Sequence, residues 1–401
     1  MPDQKPNNQS NPSNQRIVIA ISAASISRII LNTARRFAYP FAPVLSRSLE
    51  VPLTAVTSLI AVNQATGMLG LFFGPLTDRF GYRLMMLSGL SMLVLGMFAA
   101  GFLPYYGVVL AAIFLAGMAK TIFDPAVQAY VGDRIPFRRR GLAIGLLEFS
   151  WAGSTLLGIP LIGFLIERWG WRSPFFTLAG AGLVSMMVLE MVIPKDRKVP
   201  SHQPVASIST AWKQIARRPA ALGALTFSFL VSIAVDNLFV VYGVWLEQVF
   251  GLSIIALGLG TGLIGVAEFL GELLTAILGD RIGLKRGVIM GLFLTIIGYV
   301  LLPFIAKTFP WALAGLFIIF LTFEFSIVMF MSLCTEIMPN LRATMMSFFL
   351  AAAGLGRVVG VLIGGSVWIL GGILATGMVS AVITALAMLS MMWGLRDWEH
   401  N

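Results

Sequence analysis

The sequence predicts an all-α membrane protein of twelve transmembrane helices, arranged as two pseudo-symmetric six-helix bundles. Three observations lead there. Hydrophobic residues make up 58% of the 401 and charged residues only 11%, against roughly 25% charge in a soluble domain, and the mean hydropathy is +0.88. Apolar runs long enough to cross about 30 Å of hydrocarbon as a helix recur along the whole chain. Finally, a charged cassette occurs twice, as Gly74-Pro75-Leu76-Thr77-Asp78-Arg79-Phe80-Gly81-Tyr82-Arg83 and as Gly279-Asp280-Arg281-Ile282-Gly283-Leu284-Lys285-Arg286, with Asp78 and Asp280 202 residues apart (280 − 78). That spacing is half the chain, so the sequence reads as two tandem halves. A β-barrel is excluded by pattern, because its strands would be alternating segments of roughly 10 residues rather than continuous apolar runs.

Taken in order, the spans are expected near 17–45, 53–74, 84–103, 105–131, 141–165 and 174–193, then 220–246, 254–278, 287–305, 311–333, 343–369 and 373–394. This divides the chain into a disordered cytoplasmic tail (1–16), a first bundle (17–193), a cytoplasmic linker (194–219), a second bundle (220–394) and a short cytoplasmic tail (395–401). The linker is the longest polar interruption. It carries Lys195, Asp196, Arg197 and Lys198, then Ala211-Trp212-Lys213-Gln214, where either a short amphipathic surface helix or a plain tether fits.

Basic residues in short loops stay on the cytoplasmic side. With the N-terminus inside, nineteen Lys and Arg fall in cytoplasmic segments and only Arg47, Arg168, Arg172 and Lys307 fall outside. Both termini are therefore expected in the cytoplasm of a cell with a bacterial-type inner (plasma) membrane.

Composition also narrows chemistry. One cysteine, Cys334, and two histidines in polar segments, His202 and His400, supply no metal-binding cluster. No Gly-rich phosphate loop or nucleophile–histidine pair is visible, so neither an enzyme nor a cofactor is expected. The net charge of +10 is spread over loops rather than over one face of a soluble domain, which argues against nucleic acid as a partner. A monomer in a lipid bilayer is expected.

The cassette has its own physics. Gly74 and Gly81 permit a sharp reversal between helices, Asp78 can accept hydrogen bonds from helix-end amides, and Arg79 and Arg83 can pair with carboxylates or with carbonyls at helix C-termini. Such a cluster can latch helix ends together, or simply enforce topology. Its pattern, Gly-x-x-x-Asp-Arg-x-Gly-x-Arg, resembles the signature between the second and third helices of the major facilitator superfamily. The second copy, with Asp280, Arg281, Gly283, Lys285 and Arg286, sits where the second half of that family carries its own, although Ala276 stands where Gly74 does. The resemblance covers essentially the whole chain. It implies a secondary transporter built from repeats, with a central cavity lined by the first, fourth, seventh and tenth helices.

Gly153, Gly158, Pro160 and Gly163 in the fifth span resemble, less cleanly, the glycine–proline motif of drug–proton antiporters in this superfamily. Ile159 separates glycine from proline and Phe164 replaces a second glycine. Ordinary small-residue helix packing is the alternative.

Eleven ionisable residues fall within spans: Arg28, Arg35, Arg36, Lys120, Asp124, Glu148, Asp236, Glu268, Glu272, Glu324 and Arg357. At roughly 2.5 to 3.5 kcal/mol each, leaving them all in lipid would cost on the order of 30 kcal/mol, more than a fold's net stability. They must face one another or a wet cavity. Helical spacing groups Arg28, Asn32 and Arg35 on one face, Lys120, Asp124 and Gln128 on another, and Ser228, Ser232 and Asp236 on a third. Lys120 and Asp124 could neutralise each other within one helix. Glu268 and Glu272, one turn apart with like charge, need a proton or a base from another helix. With the family's helix order, these stripes and Glu324 meet in the cavity, flanked by Glu148, Glu268, Glu272 and Arg357.

Two readings of cargo follow. The first is proton-coupled export of a small organic molecule, with Asp236 and Glu324 as the leading proton carriers and Asp124, Glu148, Glu268 and Glu272 behind them. The second is symport or exchange of an organic anion, with Arg28 and Arg35 as its clamp. A non-transporting membrane sensor or scaffold on the same fold is a third reading, of a different class.

Overall fold

The computed structural model describes residues 12–134, 147, 149–194, 208–338 and 342–396. The side chains of Gly74, Pro75, Asp78 and Asp280, and Glu148 altogether, lie outside the described residues. The described chain is helical throughout its ordered elements, with no strand among the described residues.

Ten of its helices are long and apolar enough to cross a membrane. The last of these, Arg342–Gly394, has 53 residues, about 80 Å of helix at 1.5 Å per residue, far more than a bilayer needs. It breaks at Gly371 (φ −157°, ψ 18°) and Gly372 (φ 58°, ψ −148°), a conformation at Gly372 that only glycine adopts without strain. It is therefore the eleventh and twelfth spans. The second span runs from Leu53–Ala65 through a 3-10 turn, Thr66–Leu69, into Gly70–Phe80, with helical dihedrals at each junction. Twelve spans result, as hydropathy predicts.

The first and seventh spans differ from expectation. A continuous first span over 17–45 is replaced by Pro12–Arg36, a turn over 37–41, and Ala42–Ser48. Pro40 supplies no N–H and disfavours helix at the residue before it, which ends the helix there. The seventh span breaks at the equivalent place, 202 residues on, between Pro219–Phe239 and Tyr242–Phe250. The two breaks face each other. A Cβ at Gly243 would lie 2.9 Å from the Pro40 Cα and carbonyl carbon, so glycine is what lets the two backbones touch.

The remaining elements follow the apolar runs: Tyr82–Phe102, Tyr106–Arg134, Phe149–Trp169 and Ser173–Val192 in the first half, and Ile254–Ile282, Leu284–Ile305 and Phe309–Ile337 in the second. The fifth span contains a π-helical turn, Ser154–Gly158, just before Pro160, where the missing proline N–H leaves the helix ladder one bond short. In the linker, Ile208–Ala216 forms a helix whose Trp212 ring sits 5.6 Å from that of Phe348.

Both cassettes close the same way. Gly81 (φ 91°) and Gly283 (φ 83°) terminate the second and eighth spans in the left-handed half of the map, where a side chain is strained. The base two residues later then reaches the C-terminal end of the sixth span of its own half. Arg83 Nη2 donates to the Glu190 carbonyl at 2.9 Å, and Lys285 Nζ donates to the Leu395 carbonyl at 2.7 Å. A cation at a helix C-terminus is stabilised by the unpaired carbonyls there.

The two bundles meet along three seams. The broken first and seventh spans cross at their breaks. Span 2 meets span 11, where Gly354 and Gly365 lie against Met68 and Thr57. Span 5 meets span 8, where Gly258, Gly262 and Gly265 receive Pro160 and Leu156 at backbone distance. Beyond them, Arg47 and Glu247 form a two-bonded ion pair at 3.0 and 2.7 Å across the ends of the bundles.

Candidate functional site

Burial of charge concentrates where the first and seventh spans break. Arg36 ends the first helix there, and its guanidinium forms a two-bonded pair with Glu268 of span 8, at 3.3 and 2.6 Å. Both side chains are buried, about 5% exposed. Thr155 donates a further bond to Glu268 at 2.9 Å, from the π-turn of span 5. The guanidinium carbon also lies 4.2 Å from the centre of the Trp151 ring and 5.3 Å from that of Phe239. A planar cation between an indole face and a carboxylate satisfies both its charge and its flat surfaces. The pair joins the two bundles.

A second link starts one turn along. The Tyr39 hydroxyl donates to Asp236 of span 7 at 2.6 Å, and Gln64 of span 2 donates to the Tyr39 oxygen at 2.5 Å. Gln64 in turn accepts from Arg35 at 2.5 Å, and Arg35 also donates to Asn63 at 3.1 Å. On the far side, Arg357 Nε of span 11 stands 3.9 Å from the other Asp236 oxygen. An unbroken chain of hydrogen bonds thus runs from Asn63 through Arg35, Gln64 and Tyr39 to Asp236, crossing from one bundle to the other.

The third group lies within the first bundle. Asp124 accepts from Arg28 Nε at 3.0 Å and from Lys120 Nζ at 2.5 Å, so one acid serves two bases. Gln128, one turn on, is exposed. Asn32 donates to Ser150 at 3.3 Å, while its buried carbonyl oxygen has no partner among the described residues. In the second bundle Glu324 is buried and accepts no hydrogen bond among the described residues. It packs against Gly271, where a Cβ would lie 2.8 Å from the Glu324 Cβ, and stands in electrostatic reach of Glu268 and Glu272. Glu272 is half-buried.

Of the residues singled out from sequence, Arg28, Arg35, Lys120, Asp124, Asp236, Glu268, Glu324 and Arg357 come together in this interior. Glu148 lies outside the described residues, as do the side chains of Asp78 and Asp280. Gly153 and Gly158 face Ile29 and Thr33 of span 1, whereas Pro160 and Gly163 face span 8, so the fifth-span motif packs on two partners. Sequence reasoning passed over Tyr39, Asn63, Gln64, Trp151 and Thr155, and left Arg36 off the polar stripe. Only Arg36 had a signal, as a base inside a span. The others are neutral residues whose role depends on partners far away in sequence.

The sequence model of the Major Facilitator Superfamily matches residues 24–271 and, in a second alignment, residues 226–400. The chain belongs to the Major Facilitator Superfamily. It is 28% identical over 294 residues to the MFS-type transporter YceJ of Bacillus subtilis (strain 168), covering 73% of this chain and 74% of that one. It is 26% identical over 253 residues to the multidrug resistance protein MdtG of Serratia proteamaculans (strain 568), covering 61% and 60%. Among solved structures, a bacterial homolog of the human lysosomal transporter Spinster, in an inward-facing and unoccupied conformation, superposes with a TM-score of 0.73 over 98% of this chain and 100% of that one, at 15% identity. The peptide transporter POT does so with a TM-score of 0.75 over 95% and 98%, at 12% identity. This superfamily member is thus a multi-pass secondary transporter, not an enzyme, and its interior charges belong to a transport fold.

Proposed function

We propose that this superfamily member exports a small organic molecule in exchange for protons, by rocking its two bundles about the charge network. One observation carries the reading: two carboxylates, Asp236 and Glu268, each tie one bundle to the other. A proton arriving on such an acid removes an inter-bundle bond, which is how proton binding would be linked to movement. The relative named a multidrug resistance protein supports the export direction and the small-molecule class.

The excess of bases in the segments assigned to the cytoplasm puts the Arg47 and Glu247 end of the bundles outside. On that assignment the described conformation is closed to the exterior. Both cassettes then lie at the cytoplasmic ends, where Arg83 and Lys285 each fasten helix ends of their own bundle. Asp236 and Glu324 remain the leading proton carriers. Asp124 is bonded to two bases within the first bundle, whereas Glu268 is bonded twice to one base across the seam.

Organic-anion exchange is the second reading, and Arg35 favours it. Its two bonds go to neutral amide oxygens, leaving its charge for a ligand. Arg28 is engaged by Asp124 and contributes less than its place on the stripe suggests.

The carriers are tested on a solid-supported membrane bearing reconstituted protein. A pH jump gives the wild type a transient displacement of charge. Asp236→Asn combined with Glu324→Gln removes most of that charge, and Asp124→Asn keeps it. An undiminished signal from the double variant rules both carboxylates out.

A further inference from the structure

Every hydrogen bond between Arg35 and Asp236 points the same way. A guanidinium can only donate, so Gln64, which accepts from Arg35 through its amide oxygen at 2.5 Å, must turn its NH2 group to the Tyr39 oxygen, also at 2.5 Å. That leaves the Tyr39 hydrogen for the Asp236 carboxylate, at 2.6 Å. Asn63 fixes the far end, accepting from Arg35 at 3.1 Å and donating to the Ile113 carbonyl at 2.6 Å. Tyr39, Gln64 and Asp236 are all buried, which shields these bonds from bulk water.

Asp236 meets donors on both sides. Tyr39 takes one oxygen, and Arg357 Nε of span 11 stands 3.9 Å from the other. Arg35 and Arg36 of span 1 lie in electrostatic reach, as does Tyr299 of span 9. A proton on the oxygen nearer Tyr39 sets two O–H donors against each other, since the Tyr39 hydrogen has no other acceptor among the described residues. A proton on the other oxygen faces Arg357, and it turns the Tyr39 bond from one with a charged oxygen into one with a neutral oxygen, about half as strong. Either way, the proton weakens a bond whose two ends belong to different bundles.

We propose that Tyr39 is the positioning residue through which a proton on Asp236 is felt by the first bundle, and that Gln64 and Arg35 keep its hydroxyl aimed at that acid. This role rests on the proton-coupled reading above and names the bond that the proton weakens. Tyr39 lies in the turn over 37–41 where span 1 breaks, and its ring tilts against Phe239, at the break in span 7, with centroids 4.7 Å apart. A proton taken up from water neutralises Asp236, the hydroxyl loosens, and one of the two ties across the breaks is released. The Arg36 and Glu268 pair is the other.

Spin labels at Ser46→Cys and Gln248→Cys in a Cys334→Ala parent read the separation of the bundles at their closed end, whose cavity both positions line. Pulsed electron–electron resonance at neutral and acid pH compares this parent with Tyr39→Phe, Asp236→Asn, the two combined, and Gln64→Glu. Tyr39→Phe keeps the ring and loses only the hydroxyl. It should raise the ratio of long to short distances at neutral pH about tenfold, as loss of a buried bond to a charged group does, and acidification should then add less than it adds in the parent. Asp236→Asn should act alike, and the double variant should exceed neither by more than about twofold, because both changes remove one bond. Gln64→Glu offers Tyr39 an acceptor in place of a donor, so it should draw the hydrogen away from Asp236 and open the bundles with the hydroxyl still present. Thermal unfolding shows which variants are folded. A folded Tyr39→Phe protein as closed as the parent at neutral pH, or multiplied effects in the double variant, overturns the role of Tyr39, while opening of the parent by acid leaves the proton-coupled reading standing. A closed Gln64→Glu protein overturns the aiming by Gln64. A parent indifferent to pH removes the proton-coupled reading and the role of Tyr39 together.

Discussion

Arg36→Gln, and separately Glu268→Gln, should lower the unfolding free energy by about 3–5 kcal/mol, the usual consequence of stranding one member of a buried ion pair. Each should also abolish transport. Arg36 sits between a carboxylate and the faces of Trp151 and Phe239, so its loss empties a flat slot as well as a charge. Loss of the Glu268 charge leaves the guanidinium without a bonded carboxylate, against the faces of Trp151 and Phe239. The informative protein is the double variant Arg36→Met, Glu268→Met. Replacing both partners by apolar groups of similar length commonly restores stability, yet it leaves an inter-bundle contact that no proton can release. Thermal unfolding in detergent should recover most of the loss, while the transport signal stays absent. Full transport by the double variant would show that the pair is structural only.

Gly265→Val should act on conformation rather than on folding. A Cβ at this position would stand 2.6 Å from the Leu156 nitrogen and 3.0 Å from the Leu156 Cα and Thr155 carbonyl carbon. These are backbone atoms, which cannot turn aside as a flexible side chain can. Overpacking of a tight contact costs about 1–3 kcal/mol. Because the contact joins two bundles, separating them relieves it without unfolding either. At ~1.4 kcal/mol per factor of ten, the closed conformation should lose about ten- to hundredfold in population. The sole cysteine, Cys334, is buried, and Cys334→Ala with Ser46→Cys reports the opening. Labelling of Ser46→Cys by an impermeant maleimide should accelerate in the Gly265→Ala protein, whose Cβ already meets these backbone atoms, and further in Gly265→Val. Unaltered labelling in Gly265→Val would mean that this seam does not separate.

Much of the architecture was legible because it rests on local chemistry. Twelve apolar runs set the spans, the Gly371-Gly372 pair marks the last turn, and the repeated cassette marks the two halves. The breaks in the first and seventh spans escaped hydropathy, since 37–41 and 240–241 are as apolar as the helices around them. Pro40 was the available sign in the first, and the second became legible only through its 202-residue equivalence. The site was half legible. Charged residues inside spans announce themselves by their cost, but their pairing does not. Arg28 and Arg35 share a helix face seven residues apart, which made them look like one clamp. In the structure Arg28 turns to Asp124, Arg35 to Asn63 and Gln64, and the adjacent Arg36, about 100° around the helix, points at Glu268, 232 residues away. Partners at that separation leave no periodicity to read. Neutral groups such as Tyr39 and Trp151 carry still less signal, because nothing about them is costly until their charged neighbours are placed.

On the proposed coupling, a proton that arrives on an acid tying the bundles together weakens the described conformation, so acidification is expected to open it. Spin labels at Ser46→Cys and Gln248→Cys in the Cys334→Ala background flank the closed end, where both positions line a cavity of about 310 Å³ beside Arg47 and Glu247. Pulsed electron–electron resonance in lipid nanodiscs then reads the separation of the bundles directly. A short distance that dominates at neutral pH and yields to a longer one on acidification, with the shift removed in the Arg36→Met, Glu268→Met protein, is the expected result. One distance, unchanged across the same pH range in the wild type, would contradict the proposal that protons move this transporter through its inter-bundle ion pairs.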